Sequence, residues 1–180
     1  MNLAPDAELA RAMDCAAAVP DPEIPVVTLA DLGILRSVHR EGGRVVVVLT
    51  PTYTGCPATQ VIADDVRRAL ADGGIPDADV RLTLAPPWTT DWISADGRRK
   101  LREYGIAPPG AAAQAGGSVI RFVPRGRAAA PASDGPPETI DCPRCGSGRV
   151  ERLSEYGSTP CKALYRCIAC REPFDYFKPY

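Results

Sequence analysis

The chain has 180 residues, enough for one ordinary domain and a small appendage. Its 21 basic and 22 acidic residues leave a formal net charge of −1. That balance gives no electrostatic reason to bind nucleic acid or an anionic membrane. No apolar run approaches the roughly 20 residues that span a bilayer. Residues 1–19 carry acidic side chains and lack the basic flank and apolar core of an export signal. A cytoplasmic protein is therefore expected, with neither nucleic acid nor membrane as partner. The seven cysteines agree with this: the number is odd, and four of them form two Cys-x-x-Cys pairs. In a reducing compartment that pattern favours metal ligation over disulfides.

Composition divides the chain into three. Residues 1–106 mix apolar runs with charge in the manner of a globular domain. Residues 107–138 are rich in Ala, Gly and Pro and read as a linker, interrupted by a short apolar piece at 119–123 that could pair as a strand. Residues 139–180 hold five of the seven cysteines.

In chain order, Pro5 and Asp6 open a helix whose Leu9, Ala12, Met13 and Ala16 recur at helical spacing. Pro20, Pro22 and Pro25 forbid its continuation, so residues 20–27 are expected as extended loop. Thr28 and Asp31 can cap a short turn reaching Gly33. Residues 34–39 and 44–50 read as a hairpin about Gly42 and Gly43. The second strand, Arg-Val-Val-Val-Val-Leu, is apolar enough to be central and buried on both faces. After a loop, residues 58–71 form an amphipathic helix with Val61, Ile62, Asp65, Val66 and Ala69 on its contact face, stopped by Gly73 and Gly74. Residues 80–84 make a third strand and 94–104 a last helix ended by Gly105. The order α-β-β-α-β-α predicts an α/β sandwich: one small mixed sheet with helices packed on it, then the linker and a small ribbon.

Cys142-Pro-Arg-Cys145 and Cys167-Ile-Ala-Cys170 lie 21 residues apart. Two residues between thiolates let one tight turn aim both sulfurs at a point, and two such knuckles give a closed tetrahedral shell. One structural zinc is the expected occupant of Cys142, Cys145, Cys167 and Cys170, and a ribbon of this size needs such a staple. A rubredoxin-like iron or an iron–sulfur cluster would use the same ligands. Cys161 is the spare thiol of this module, beside Lys162, which could lower its pKa. It is either a partly buried small side chain or a reactive thiol and alternative ligand. Phe174, Tyr176, Phe177 and Tyr180 close the chain, covering the ribbon or offering an aromatic docking surface.

In the first module, Cys56 follows the central strand and stands before a helix, where free amides favour a thiolate and lower its pKa. It is either a metal-handling or nucleophilic thiol or a structural one. Asp21 and Glu23 flank Pro22 in a loop that is either a metal-facing pair or ordinary turn chemistry. Cys15 reads as core, and His39 as surface. Trp88 and Trp92 follow Pro86 and Pro87 and serve either packing or an interface.

Together these motifs carry a resemblance. Asp21-Pro-Glu-Ile-Pro25, Thr50-Pro-Thr-Tyr-Thr-Gly-Cys56-Pro-Ala-Thr59, Pro87-Trp-Thr-Thr-Asp-Trp92 and Leu101-Arg-Glu-Tyr-Gly-Ile106 resemble the D-subunit family of the phenylacetyl-CoA epoxidase system, also called PaaD or PaaJ. So do the Cys142 knuckle, Gly157-Ser-Thr-Pro-Cys-Lys-Ala-Leu-Tyr-Arg-Cys167 and Cys170-Arg-Glu-Pro-Phe-Asp-Tyr-Phe177. The likeness runs from about residue 15 to the C-terminus, the linker excepted. Residues 1–106 alone are similar to the SufT-like iron–sulfur assembly domain, whose signature loop and cysteine fall on Asp21, Glu23 and Cys56.

The resemblance implies an accessory protein of aerobic phenylacetate degradation without epoxidase chemistry of its own. Its partners would be the other subunits: the di-iron oxygenase subunit or the flavin- and [2Fe–2S]-containing reductase. It would mature their metal or cluster, with Cys56, Asp21 and Glu23 holding iron or a cluster transiently while the ribbon and its aromatic tail dock the client. A stoichiometric structural subunit and an electron-carrying iron protein are the alternatives. No catalytic residues are expected: the sequence has no P-loop, dinucleotide fingerprint, His-Glu-x-x-His or Glu-x-x-His motif.

Overall fold

The computed structural model describes residues 5–110 and 140–179. Most of the expected linker, its strand at 119–123 and Tyr180 lie outside the described residues. The first module runs α1 (Pro5–Ala17), β1 (Leu35–Glu41), β2 (Arg44–Leu49), α2 (Thr59–Asp72), β3 (Asp79–Leu82) and α3 (Ala95–Tyr104), the order expected from the sequence. A 3₁₀ turn at Thr90–Trp92 precedes α3.

β1 and β2 form an antiparallel hairpin through Gly42 and Gly43, whose φ values of 56° and 87° suit a type I′ turn. β3 returns parallel to β2, with Val47 opposite Val80, so β2 is the middle strand of a mixed three-stranded sheet. Val45, Val46, Val47 and Leu49 are buried, as a central strand requires. α2 is the crossover between the parallel strands and packs through Ile62, Ala63, Val66 and Leu70. Its buried stripe is thus displaced by about one residue from the expected face, and Val61 is left 49% exposed. α1 buries Ala12 and Ala16 but not Met13, because two small side chains let it approach the sheet closely.

The 20–27 loop is not extended. Pro20 and Thr28 form an antiparallel bridge, Asp21 N–H donates to Val27 O at 2.9 Å, and Val27 N–H donates to Ile24 O at 3.1 Å. The Asp21 carboxylate holds this closed turn by accepting the Glu23 and Ile24 amides at 2.9 and 2.8 Å. Asx-turn chemistry overrides the extended preference of the prolines here. The following turn is built as expected: Asp31 Oδ2 accepts the Thr28 amide at 2.9 Å and Thr28 Oγ1 accepts the Asp31 amide at 3.1 Å. Gly33 then takes φ of 68°, and a Cβ there would lie 2.5 Å from that of Trp92.

The second module is a four-stranded sheet in the order β4-β7-β6-β5, from β4 (Ile106–Ala107), β5 (Val150–Ser154), β6 (Lys162–Cys167) and β7 (Pro173–Phe177). β4 has only two residues and pairs parallel to β7, so periodicity could not reveal it. It leaves α3 directly through Gly105, at φ of 98°. Phe174 and Tyr176 pack in the ribbon core with Cys142 and Cys167. Phe177, 1% exposed, instead joins the core of the first module, with its ring centroid 6.0 Å from that of Trp88. Trp88 is buried and donates its indole N–H to Leu32 O at 2.8 Å. Among the described residues, then, the aromatic tail is interior and joins the two modules; it offers no docking surface at Phe174, Tyr176 or Phe177.

Candidate functional site

The sequence-predicted site residues gather in two places. In the ribbon, the sulfurs of Cys142, Cys145, Cys167 and Cys170 all lie within 4.8 Å of one another. Cys142 and Cys170 are 3.7 Å apart and Cys145 and Cys167 3.6 Å. A tetrahedral shell with metal–sulfur bonds of about 2.3 Å has edges of roughly 3.8 Å, so the donor set fits one tetrahedral metal.

The two knuckles are built alike. Gly146 N–H donates to Cys142 O at 2.8 Å, and Arg171 N–H to Cys167 O at 2.9 Å. Both residues sit in the left-handed region, Gly146 at φ of 71° and Arg171 at 69°. The Cys170 amide approaches Cys167 Sγ at 3.5 Å and, against burial, helps pull that thiol down to about 7. The Cys170 thiol is pushed up to about 12: a Glu172 amide favours its thiolate, but burial and the three neighbouring sulfurs outweigh that. A cation at the centre would remove that mutual opposition.

The second cluster spans the modules. Asp21, Glu23, Cys56 and Cys161 line one cavity together with Thr52 and Phe177. Cys161 precedes β6 in a loop closed by Gly157 N–H donating to Lys162 O at 2.8 Å and Lys162 N–H donating to Thr159 O at 3.1 Å. Its sulfur lies 3.0 Å from Thr159 Oγ1 and 3.9 Å from Glu23 Oε2. Lys162 is itself buried, pairs with Asp175 at 3.2 Å and acts electrostatically on Asp21, Glu23 and Cys161. Nothing in the sequence marked Lys162 as more than a neighbour of Cys161.

Cys56 does not stand at the helix terminus itself. α2 begins three residues later, with Ala58 as N-cap, and the Cys56 carbonyl accepts the Thr59 hydroxyl at 2.7 Å. Burial pushes its thiol up, against hydrogen bonds from Ala58 and Thr59, and the Glu23 and Asp21 carboxylates add to the rise. Burial likewise raises Cys161, outweighing Thr159 and Lys162. Neither thiol has the lowered pKa that position alone suggested. Burial also raises Asp21, over its two amide hydrogen bonds, and Glu23, where the Asp21 charge contributes. Two thiols and two carboxylates brought to one confined space form a mixed soft and hard donor set of the kind that suits a borderline divalent cation.

His39 is exposed, 4.0 Å from Glu41, as expected. Cys15 is half-buried against the core. Trp88 serves packing, and Trp92 is covered by the Arg36 guanidinium at 3.3 Å. Among the described residues, no helix is long and apolar enough to cross a membrane.

Comparison with known proteins matches two separate stretches of the chain. Residues 12–85 match the family model described as iron–sulfur cluster assembly protein, and residues 127–178 the model described as PaaD zinc beta ribbon domain. A protein of Escherichia coli (strain K12), provisionally named as the D component of 1,2-phenylacetyl-CoA epoxidase, is 49% identical over 160 residues, covering 89% of this chain and 86% of the relative. The Fe-S protein maturation auxiliary factor YitW of Bacillus subtilis (strain 168) is 38% identical over 78 residues, 42% of this chain and 76% of the relative. A solved domain of unknown function, DUF59, from Bacillus anthracis superposes with a TM-score of 0.50 at 26% identity, covering 54% of this chain and 93% of that one.

Proposed function

This chain belongs to the D-subunit family of 1,2-phenylacetyl-CoA epoxidase, and from that membership we propose that it is an accessory subunit that matures the metal or iron–sulfur centre of its partner subunits. An accessory role in iron–sulfur-related function accords with its assembly-type first module. The observation that carries the finer reading is the convergence of Asp21, Glu23 and Cys56, all of that module, on one cavity. These side chains hold the cargo transiently, as iron or as a cluster. The clients are the di-iron subunit or the flavin and [2Fe–2S] reductase of the same oxygenase, in the cytoplasm. The ribbon holds one structural zinc on Cys142, Cys145, Cys167 and Cys170. Four thiolates leave no open position for chemistry at that metal. The chain performs no epoxidation of its own.

Replacing Cys56 by Ser tests this. The variant is expected to melt as the wild type does, while the iron content and activity of the oxygenase assembled with it in cells fall severalfold. Normal metal loading and activity would leave Cys56 a structural residue. A second reading, a stoichiometric structural subunit, is favoured by the 49% identity to a protein named as a subunit. It predicts that the chain co-purifies in fixed ratio with the catalytic subunits and that activity fails when it is stripped from the mature complex.

A further inference from the structure

The spare cysteine of the ribbon and the loop cysteine of the first module face the same cavity, although neither module contains both. We propose that Cys56 and Cys161 are the paired thiolate ligands of one composite site for a single ferrous ion, with Glu23 as the carboxylate ligand and the ribbon as the half that completes it. The inference rests on the cargo-handling reading above and adds to it the second ligand and the size of the cargo.

Three observations carry it. The first is placement: Asp21, Glu23, Cys56 and Cys161 line one cavity, with Cys161 Sγ already 3.9 Å from Glu23 Oε2. Two thiolates and a carboxylate form a mixed soft and hard donor set, which suits a first-row divalent ion rather than magnesium or calcium.

The second is volume. The cavity is narrow and accommodates one water or one ion. An assembled cluster, with its bridging sulfides, is larger than that space.

The third is division of labour between the carboxylates. Asp21 Oδ1 is engaged by the Glu23 and Ile24 amides, so Asp21 shapes the loop, while Glu23 reaches the ribbon's thiol. Lys162, buried beside them, offsets part of the negative charge that two thiolates and two carboxylates would accumulate.

Among the described residues, it is the ribbon set whose ligand atoms all come within 4.8 Å of one another. At the composite site the donors must therefore close on the ion by side-chain rotation. That costs affinity and suits a cargo that is passed on. Binding is proton exchange without redox change: the two thiol protons leave to solvent as two iron–sulfur bonds form, and iron remains ferrous.

The test uses the full-length protein with zinc in the ribbon, kept anaerobic and titrated with a ferrous salt alone. Zinc outranks ferrous iron at a given site, so the ribbon stays occupied. Wild type is expected to bind one Fe(II) per chain and to show at least tenfold slower alkylation of both Cys56 and Cys161, read by mass spectrometry, once loaded. Cys161→Ser and Cys56→Ser should each weaken binding at least tenfold with an unchanged melting profile. Should either variant fail to fold, Glu23→Gln is expected to weaken binding severalfold, and the alkylation pattern of the wild type needs no variant.

If Cys161→Ser binds as wild type does and Cys56→Ser does not, the composite site is overturned while the Cys56 reading stands. If both bind normally, both readings fall. If two or more irons bind with sulfide after reconstitution, and Cys56 and Cys161 are their ligands, the single-ion assignment is overturned.

Discussion

Cys161 Sγ and Glu23 Oε2, 138 residues apart in the chain, lie 3.9 Å apart in the fold. Their approach depends on the ribbon being held against the first module by Phe177, which is buried near Trp88. The ribbon metal therefore has a structural consequence beyond the ribbon.

Removing that metal should be felt in both modules. Cys142→Ser, or a strong chelator, withdraws the free energy that folds the ribbon. Phe177 then leaves a core to which it contributes a fully buried aromatic ring. The loss is expected to be about 3 kcal/mol or more, the range for emptying a buried aromatic site. Thermal unfolding followed by the fluorescence of Trp88 and Trp92, both in the first module, reports that module. An unchanged midpoint for that signal would show that the modules are energetically independent.

Lys162 offers a second check on the junction. Its amine is buried and 3.2 Å from Asp175. Lys162→Met alone leaves Asp175 with the Ser158 hydroxyl at 3.2 Å but without its cation, adds to the unfavourable crowding of Asp21 and Glu23, and should cost about 3 kcal/mol in denaturant unfolding. Lys162→Met with Asp175→Asn removes both charges and should recover most of that loss. Equal destabilisation by the single and double variants would mean that the aliphatic stem of Lys162, and not the ion pair, is what matters.

Much of this was legible in the sequence where the signal is local. The Gly42-Gly43 hairpin, the apolar run of β2 and the Ser94 and Gly105 ends of α3 each rest on a few adjacent residues whose backbone chemistry allows little else. The paired knuckles at Cys142 and Cys167 are legible for the same reason. What escaped was long-range. β4 is two residues long and exists only because β7 lies beside it. Cys161 carries no local motif that places it against Glu23. The low thiol pKa expected at Cys56 failed because burial outweighs the amides of a helix that begins three residues further on. The loop at Asp21 shows both influences: its prolines suggest extension, while its carboxylate captures two amides and closes it.

The second knuckle carries a strain that the first avoids. Gly146 and Arg171 occupy equivalent positions at φ of 71° and 69°, but only glycine adopts that conformation without a Cβ penalty. Arg171→Gly should therefore stabilise the ribbon by about 1 kcal/mol. The measurement is the midpoint of metal-loaded unfolding. A lower midpoint would show that the Arg171 side chain makes a contribution exceeding its backbone cost.

Asp31 provides a test by pH. Its carboxylate joins the turn after Thr28 to α3, accepting the Thr28 amide at 2.9 Å and the Lys100 ammonium at 2.7 Å. Burial opposes its ionisation, but Lys100 and Thr28 together outweigh that and hold the carboxyl below its ordinary value of 3.8. A carboxylate depressed on folding contributes stability above its unfolded pKa and loses it as pH falls through the folded one. Asp31→Asn should therefore melt below wild type at pH 7 and show the same deficit at pH 5. The two curves should converge only below about pH 4, as the wild-type carboxyl takes up its proton. Ser94 N–H also donates to Asp31 O at 2.8 Å, a backbone contact the substitution leaves in place, so the turn itself should persist. A deficit that stays constant from pH 7 down to pH 3 would mean that the charge at Asp31 contributes nothing and that the loss lies in hydrogen-bond geometry alone.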